Sequence, residues 1–117
     1  MAGYLTTHVL DTARGLPAEG LKIELYRVSD NKRDLICSTV TNDDGRTDEQ
    51  ILGQEAFQIG EYELLFHCGE YIKKHNQVAD DLLFLDVVPI RFGMSQDVHY
   101  HVPLLLSPYG YSTYRGS

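Results

Sequence analysis

No apolar run in this chain approaches the roughly 20 residues of a membrane span, so a transmembrane helix is excluded. Cysteine is scarce. Cys37 and Cys68 are the only two, too few for a disulfide framework, and they are expected as reduced, mostly buried thiols. Excess positive charge is also missing: the net charge is -7. Nucleic acid and anionic membranes demand a basic footprint, so neither is expected as a partner. A small anionic ligand needs only a few local cations and is not excluded. Met1-Ala2-Gly3-Tyr4-Leu5 has no basic n-region and no apolar h-region, and the chain does not finish in Ser-Lys-Leu. A cytoplasmic protein is therefore expected. Neither repeats, low-complexity segments nor linkers are visible. With 43% hydrophobic and 23% charged residues, the sequence predicts one globular domain over residues 1–117.

What is present reads as β structure punctuated by turns. Leu5 to Asp11 reads as a first strand. A turn rich in glycine and proline, Arg14 to Gly20, leads into Lys22 to Val28, where Ile23 and Leu25 share one face. A polar loop around Asp30-Asn31-Lys32 precedes Leu35 to Thr41. Asn42-Asp43-Asp44-Gly45 is a strong turn signal, and Arg46 to Ile51 is read as a short strand. Glu61 to His67 alternates, with Tyr62, Leu64 and Phe66 on one side. Cys68 to Gln77 is the one helical stretch, short enough to need tertiary support. Phe84 to Phe92, Val98 to Leu106 and Tyr109 to Arg115 complete the strands. Short strands at regular spacing with one helix predict an all-β fold, an antiparallel β-sandwich.

The strand Val98 to Leu106 carries the first candidate chemistry. Val98, Tyr100, Val102, Leu104 and Leu106 form an apolar face, leaving His99, His101 and Pro103 on the other. Two imidazoles then stand side by side off the core. His8, next to inward-facing Val9, shares its side of the first strand with Thr6. Arg46 follows the Asp-Gly turn directly, where a strand start can hold a guanidinium rigidly. Asp86 and Arg91 are assigned to packing or surface pairing. A His-x-His pair with a third histidine such as His8 is one way to hold zinc. No acidic partner stands beside these histidines, so no metal and no cofactor are assigned. Tyr114-Arg115-Gly116-Ser117 brings a guanidinium and two hydroxyls, with a terminal carboxylate, to the end of a strand-like run, where they could complete a polar pocket.

Taken together, these segments resemble the 5-hydroxyisourate hydrolase family, the transthyretin-related enzymes of urate breakdown. Leu5-Thr6-Thr7-His8-Val9-Leu10-Asp11 and Gly15-Leu16-Pro17-Ala18 are similar to its opening motif. Thr41-Asn42-Asp43-Asp44-Gly45-Arg46 is similar to its arginine motif, and His99 to Pro108 and Tyr114 to Ser117 to its C-terminal motifs. The terminal tetrapeptide is the most specific, because it separates these hydrolases from transthyretin hormone carriers. The resemblance implies a sandwich of two four-stranded sheets with a short helix, assembled as a homotetramer that is a dimer of dimers. It implies active sites in the channel between dimers.

By the same resemblance, His8, Arg46 and His101 are catalytic. His8, Arg46, His99, Tyr114, Arg115, Gly116 and Ser117 hold substrate, with His99 at the pocket edge. The implied reaction is hydrolysis of 5-hydroxyisourate: water attacks C6, the N1–C6 bond breaks, and 2-oxo-4-hydroxy-4-carboxy-5-ureidoimidazoline results. Histidines suit water activation and proton delivery, and arginine suits a developing oxyanion. Which histidine is the base is open. Three rivals stand beside this reading: a small-ligand carrier of transthyretin type, a zinc hydrolase and a purely structural module. A carrier of apolar ligands would line its channel with aliphatic groups.

Overall fold

The computed structural model describes residues 2–116 of the chain. Its elements in order are β1 (Tyr4–Asp11), β2 (Leu16–Pro17), β3 (Lys22–Ser29), β4 (Lys32–Val40), β5 (Gly60–His67), α1 (Cys68–Lys74), β6 (Val87–Met94), β7 (His99–Ser107) and β8 (Gly110–Thr113). Two four-stranded sheets form, ordered β2-β1-β7-β8 and β4-β3-β5-β6. This is the expected transthyretin-like arrangement of two sheets and one short helix. The alternating faces explain it. Leu5 and Val9 of β1, Ile23 and Leu25 of β3, and Leu104 and Leu106 of β7 are almost wholly buried between the sheets. Among the described residues, no helix is long and apolar enough to cross a membrane.

Several local expectations change. One pairing, β1 with β7, is parallel, while the other pairings are antiparallel. Side-chain alternation reports which face a residue takes but not the direction of its neighbour, and these strands lie at opposite ends of the chain. The polar loop after β3 is a two-residue hairpin turn. Asp30 and Asn31 both take positive φ, 51° and 63°, so β4 starts at Lys32 rather than Leu35. Arg46 to Ile51 is not a strand. It touches β1 through a single bridge, His8 to Arg46, and Leu52 just beyond it bridges to Leu5. The helix stops at Lys74 because Asn76 turns left-handed at φ 53°. The Gln77 amide then donates back to the Ile72 carbonyl at 3.2 Å. Leu82 and Phe84 stay exposed, and β6 begins only at Val87.

The end of β1 is tied to the helix by a buried polar knot. Asp11 is 1% exposed. It accepts from the Tyr71 hydroxyl at 2.7 Å, from Gln77 Nε2 at 2.9 Å and from the Arg14 amide at 3.1 Å. Burial and the Asp11 carboxylate together push the Tyr71 phenol up to about 12. Both cysteines are free, Cys68 buried and Cys37 half-buried. Arg91 pairs with Glu63, as its assignment to surface pairing anticipates.

Candidate active site

The site lies where β1 and β7 run side by side. Their register sets Tyr4 beside His99, Thr6 beside His101 and His8 beside Pro103. Parallel neighbours project to the same side, so all six occupy one face of the sheet, opposite the core. His99 and His101 are half-buried there, with ring centroids 6.2 Å apart. The Thr6 hydroxyl sits between them, 2.7 Å from His99 Nε2 and 2.8 Å from His101 Nδ1. The Tyr4 ring lies flat on His99, with centroids 4.0 Å apart and planes 6° apart.

Arg46 reaches this face from the loop after β4. Thr41 anchors the start of that loop, donating its hydroxyl to the Ala18 carbonyl at 2.6 Å and accepting from the Leu21 amide at 2.9 Å. The Asn42 side chain then accepts from the Asp44 and Arg46 amides at 2.9 and 3.2 Å. This Asx turn fixes the backbone path from Asn42 to Arg46. Gly45 takes φ 74° and donates to the Asn42 carbonyl at 2.9 Å. The chain emerges at Arg46, bridged to His8. Tyr4, Thr6, Arg46, Gln50, His99 and His101 line a cleft of about 430 Å³, with Asp48 and Glu49 at its acidic wall.

The electrostatics favour neutral imidazoles. Burial and the Arg46 charge lower the His8 pKa below 6.5, against an opposing contribution from Asp44. Burial and the same guanidinium lower His101, with His99 and His8 acting in the same direction. A neutral ring close to an arginine can take a proton from water while the guanidinium faces a developing anion. Among the described residues, no three His, Cys, Asp or Glu side chains form a group able to hold a metal ion.

Of the residues that the sequence marks as candidates, Arg46, His99 and His101 share the cleft. His8 stands on the same face of β1, bridged to Arg46 at its margin. Gly116 closes on His101, donating its amide to the His101 carbonyl at 2.7 Å. Tyr114 and Arg115 go elsewhere. They line a second cleft with Phe92, Ser95 and Tyr100, and the Arg115 guanidinium lies over the Tyr100 ring at 4.2 Å. Within one chain the tail is therefore split, and Ser117 lies outside the described residues. Thr6 and Tyr4 join the cleft although sequence reasoning assigns neither to it. For Thr6 a signal exists, its shared face with His8. For Tyr4 there is none, because only its register with β7 brings it to His99.

The HIUase/Transthyretin family matches residues 5–116. The chain belongs to this family. It is 56% identical over 117 residues to 5-hydroxyisourate hydrolase 2 of Rhizobium meliloti (strain 1021), covering 99% of this chain and 98% of that protein. The crystal structure of an (S)-allantoin synthase superposes with a TM-score of 0.91 at 48% identity; the match covers 98% of this chain but only 44% of that one. Sea bream transthyretin, solved in complex with thyroxine, gives a TM-score of 0.85 at 24% identity over 96% of this chain and 93% of that one. That last likeness is one of fold alone.

Proposed function

We propose that this HIUase/Transthyretin family member hydrolyses 5-hydroxyisourate in urate degradation, by general acid–base catalysis on the histidine face of β1 and β7. The observation that carries the mechanism is the convergence of Arg46, His99 and His101 on one polar cleft. The 56% identity to a hydrolase of that name supplies the substrate. A carrier of apolar ligands would need aliphatic walls, and this cleft offers imidazole, guanidinium and hydroxyl groups instead.

In this reading His101 and His8 position the attacking water and move protons. Arg46 orients the ring amide and stabilises the oxyanion formed when water adds to C6. Breakage of N1–C6 then needs a proton at the leaving nitrogen, which a histidine supplies. His99 holds the substrate at the cleft edge, and Gly116 and Ser117 contribute to substrate binding. Tyr114 and Arg115 contribute to substrate binding through assembly. The assembly is a homotetramer, a dimer of dimers. Its support is the set of apolar residues left at the surface, Leu82, Phe84 and Tyr109 among them. The free thiols fit a cytoplasmic setting.

The test uses 5-hydroxyisourate generated freshly from urate by urate oxidase, with ultraviolet decay followed in the presence and absence of EDTA. Acceleration insensitive to EDTA is expected. No acceleration by the folded protein would overturn the function, and acceleration abolished by EDTA would overturn the metal-free mechanism. Sedimentation should give a mass near four chains; a fully active monomer would overturn the assembly.

A further inference from the structure

The geometry points to Thr6 as the positioning residue of this site, its single hydroxyl joining His99 to His101 so that the two imidazoles change protonation as a pair. This rests on the reading of His101 as an acid–base group of the hydrolase. A threonine hydroxyl has one proton to donate. Placed 2.7 Å from His99 Nε2 and 2.8 Å from His101 Nδ1, it donates to one ring nitrogen and accepts an N–H from the other. The neutral pair thus has two arrangements. In one, His101 carries its proton on Nδ1 and presents a bare Nε2, the form of a base. In the other, His101 carries it on Nε2, the form of an acid, and His99 changes tautomer to match.

Uptake of a proton by the first arrangement is a relay that balances. When His101 Nε2 takes a proton from the attacking water, the Nδ1 proton passes to Thr6 Oγ1 and the Thr6 hydroxyl proton passes to His99 Nε2. His101 is left neutral with its proton on Nε2, the Thr6 hydroxyl is restored, and His99 carries the charge. Delivery of the Nε2 proton to the leaving ring nitrogen runs the relay backwards. The flat contact of Tyr4 on His99, 4.0 Å between centroids, suits a transient cation, since an aromatic face attracts positive charge. Threonine is stiff at χ1, so its hydroxyl holds one direction between the two rings.

Thr6→Val keeps the shape and removes the hydroxyl. It is expected to lower kcat by about tenfold or more, up to the ~10²–10⁴ ascribed to a complete acid–base group. KM should stay within about twofold, because a relay acts in the transition state and not on substrate binding. Thr6→Ser should restore most of kcat. Nitrogen-15 spectra should show the tautomers of His99 and His101 coupled in wild type, uncoupled in Thr6→Val and coupled again in Thr6→Ser. His99→Gln is the second variant: its amide still hydrogen-bonds Thr6 but takes no proton, and kcat should fall with it too. Wild-type kcat in folded Thr6→Val, or in His99→Gln, overturns the relay. An inactive His101→Ala beside a fully active Thr6→Val overturns the relay alone, whereas a fully active His101→Ala overturns the underlying reading.

Discussion

Val9 and Gly45 meet backbone to backbone: the Val9 amide donates to the Gly45 carbonyl at 2.8 Å, and a β-carbon on Gly45 would collide with the Val9 carbonyl oxygen. Gly45 also takes φ 74°, a region that costs other residues about 1–3 kcal/mol. Arg46 is the next residue. Gly45→Ala should therefore lower stability by at least about 1 kcal/mol and reduce kcat/KM by shifting the guanidinium away from His8. Thermal melts and steady-state rates check it. Unchanged stability and turnover would mean that the loop holds Arg46 without this contact.

A second prediction concerns pH. Both His8 and His101 have their proton affinity lowered by burial first and by Arg46 second. The active base form thus persists below pH 6.5, and kcat/KM should fall only under that value. Arg46→Ala removes a charge that opposes protonation. The residual activity of the variant should lose its acid limb at a higher pH than wild type. A limb that stays in place, or moves down, would contradict the electrostatic role of Arg46.

The β1 and β7 faces are legible in the sequence because period-2 alternation separates Val9 from His8 and Tyr100 from His101. The parallel pairing is not, since alternation carries no direction. The same gap hides the hydroxyl bridge. Thr6 and His101 are 95 residues apart, and only the register of β1 on β7 makes them neighbours. The division of the tail is hidden for a different reason. A motif identifies Tyr114 and Arg115 as a unit with Gly116, whereas within one chain the first two line another cleft, with the Arg115 guanidinium over the Tyr100 ring.

Glu63 offers a test of stability. The residue is 6% exposed, and its carboxylate accepts from Arg33 at 2.6 Å and Arg91 at 3.1 Å. Burial alone would raise its pKa, but the two arginines outweigh this and hold it below 4.5. A carboxyl depressed on folding stabilises above its unfolded pKa and loses that contribution as pH falls through the folded one. Wild type should therefore lose stability below pH 4.5 by a component absent from Glu63→Gln. Both arginines are more than two-fifths exposed, so solvent screening keeps the difference small. Melting temperature against pH for the two proteins decides it.

Asp11 should matter more. Asp11→Ala strips partners from the buried Tyr71 hydroxyl and from Gln77 at once. Each buried polar group left unsatisfied costs about 1–3 kcal/mol, so a loss of roughly 3 kcal/mol is expected. Denaturant melts measure the loss, and hydrogen exchange should show α1 opening before the sheets. Equal exchange in helix and sheets would mean that the knot does not dock the helix.

The last prediction isolates the tail from the fold. Gly116 stands so close to His101 that an added β-carbon would lie 2.7 Å from ring atom Cδ2 and 3.4 Å from Cβ. The ring has little freedom to yield, because Thr6 holds its Nδ1 at 2.8 Å. Gly116→Val must therefore either push the imidazole off its hydroxyl or lift the tail off the strand, breaking the 2.7 Å bond from the Gly116 amide to the His101 carbonyl. Both routes disturb His101 while leaving the buried residues between the sheets untouched. Turnover should drop by an order of magnitude or more, on the scale of an acid–base group, and the melting temperature should barely change. Full activity would show that the ring accommodates the tail freely. A large fall in melting temperature would show instead that the tail is a structural strand and not part of the site.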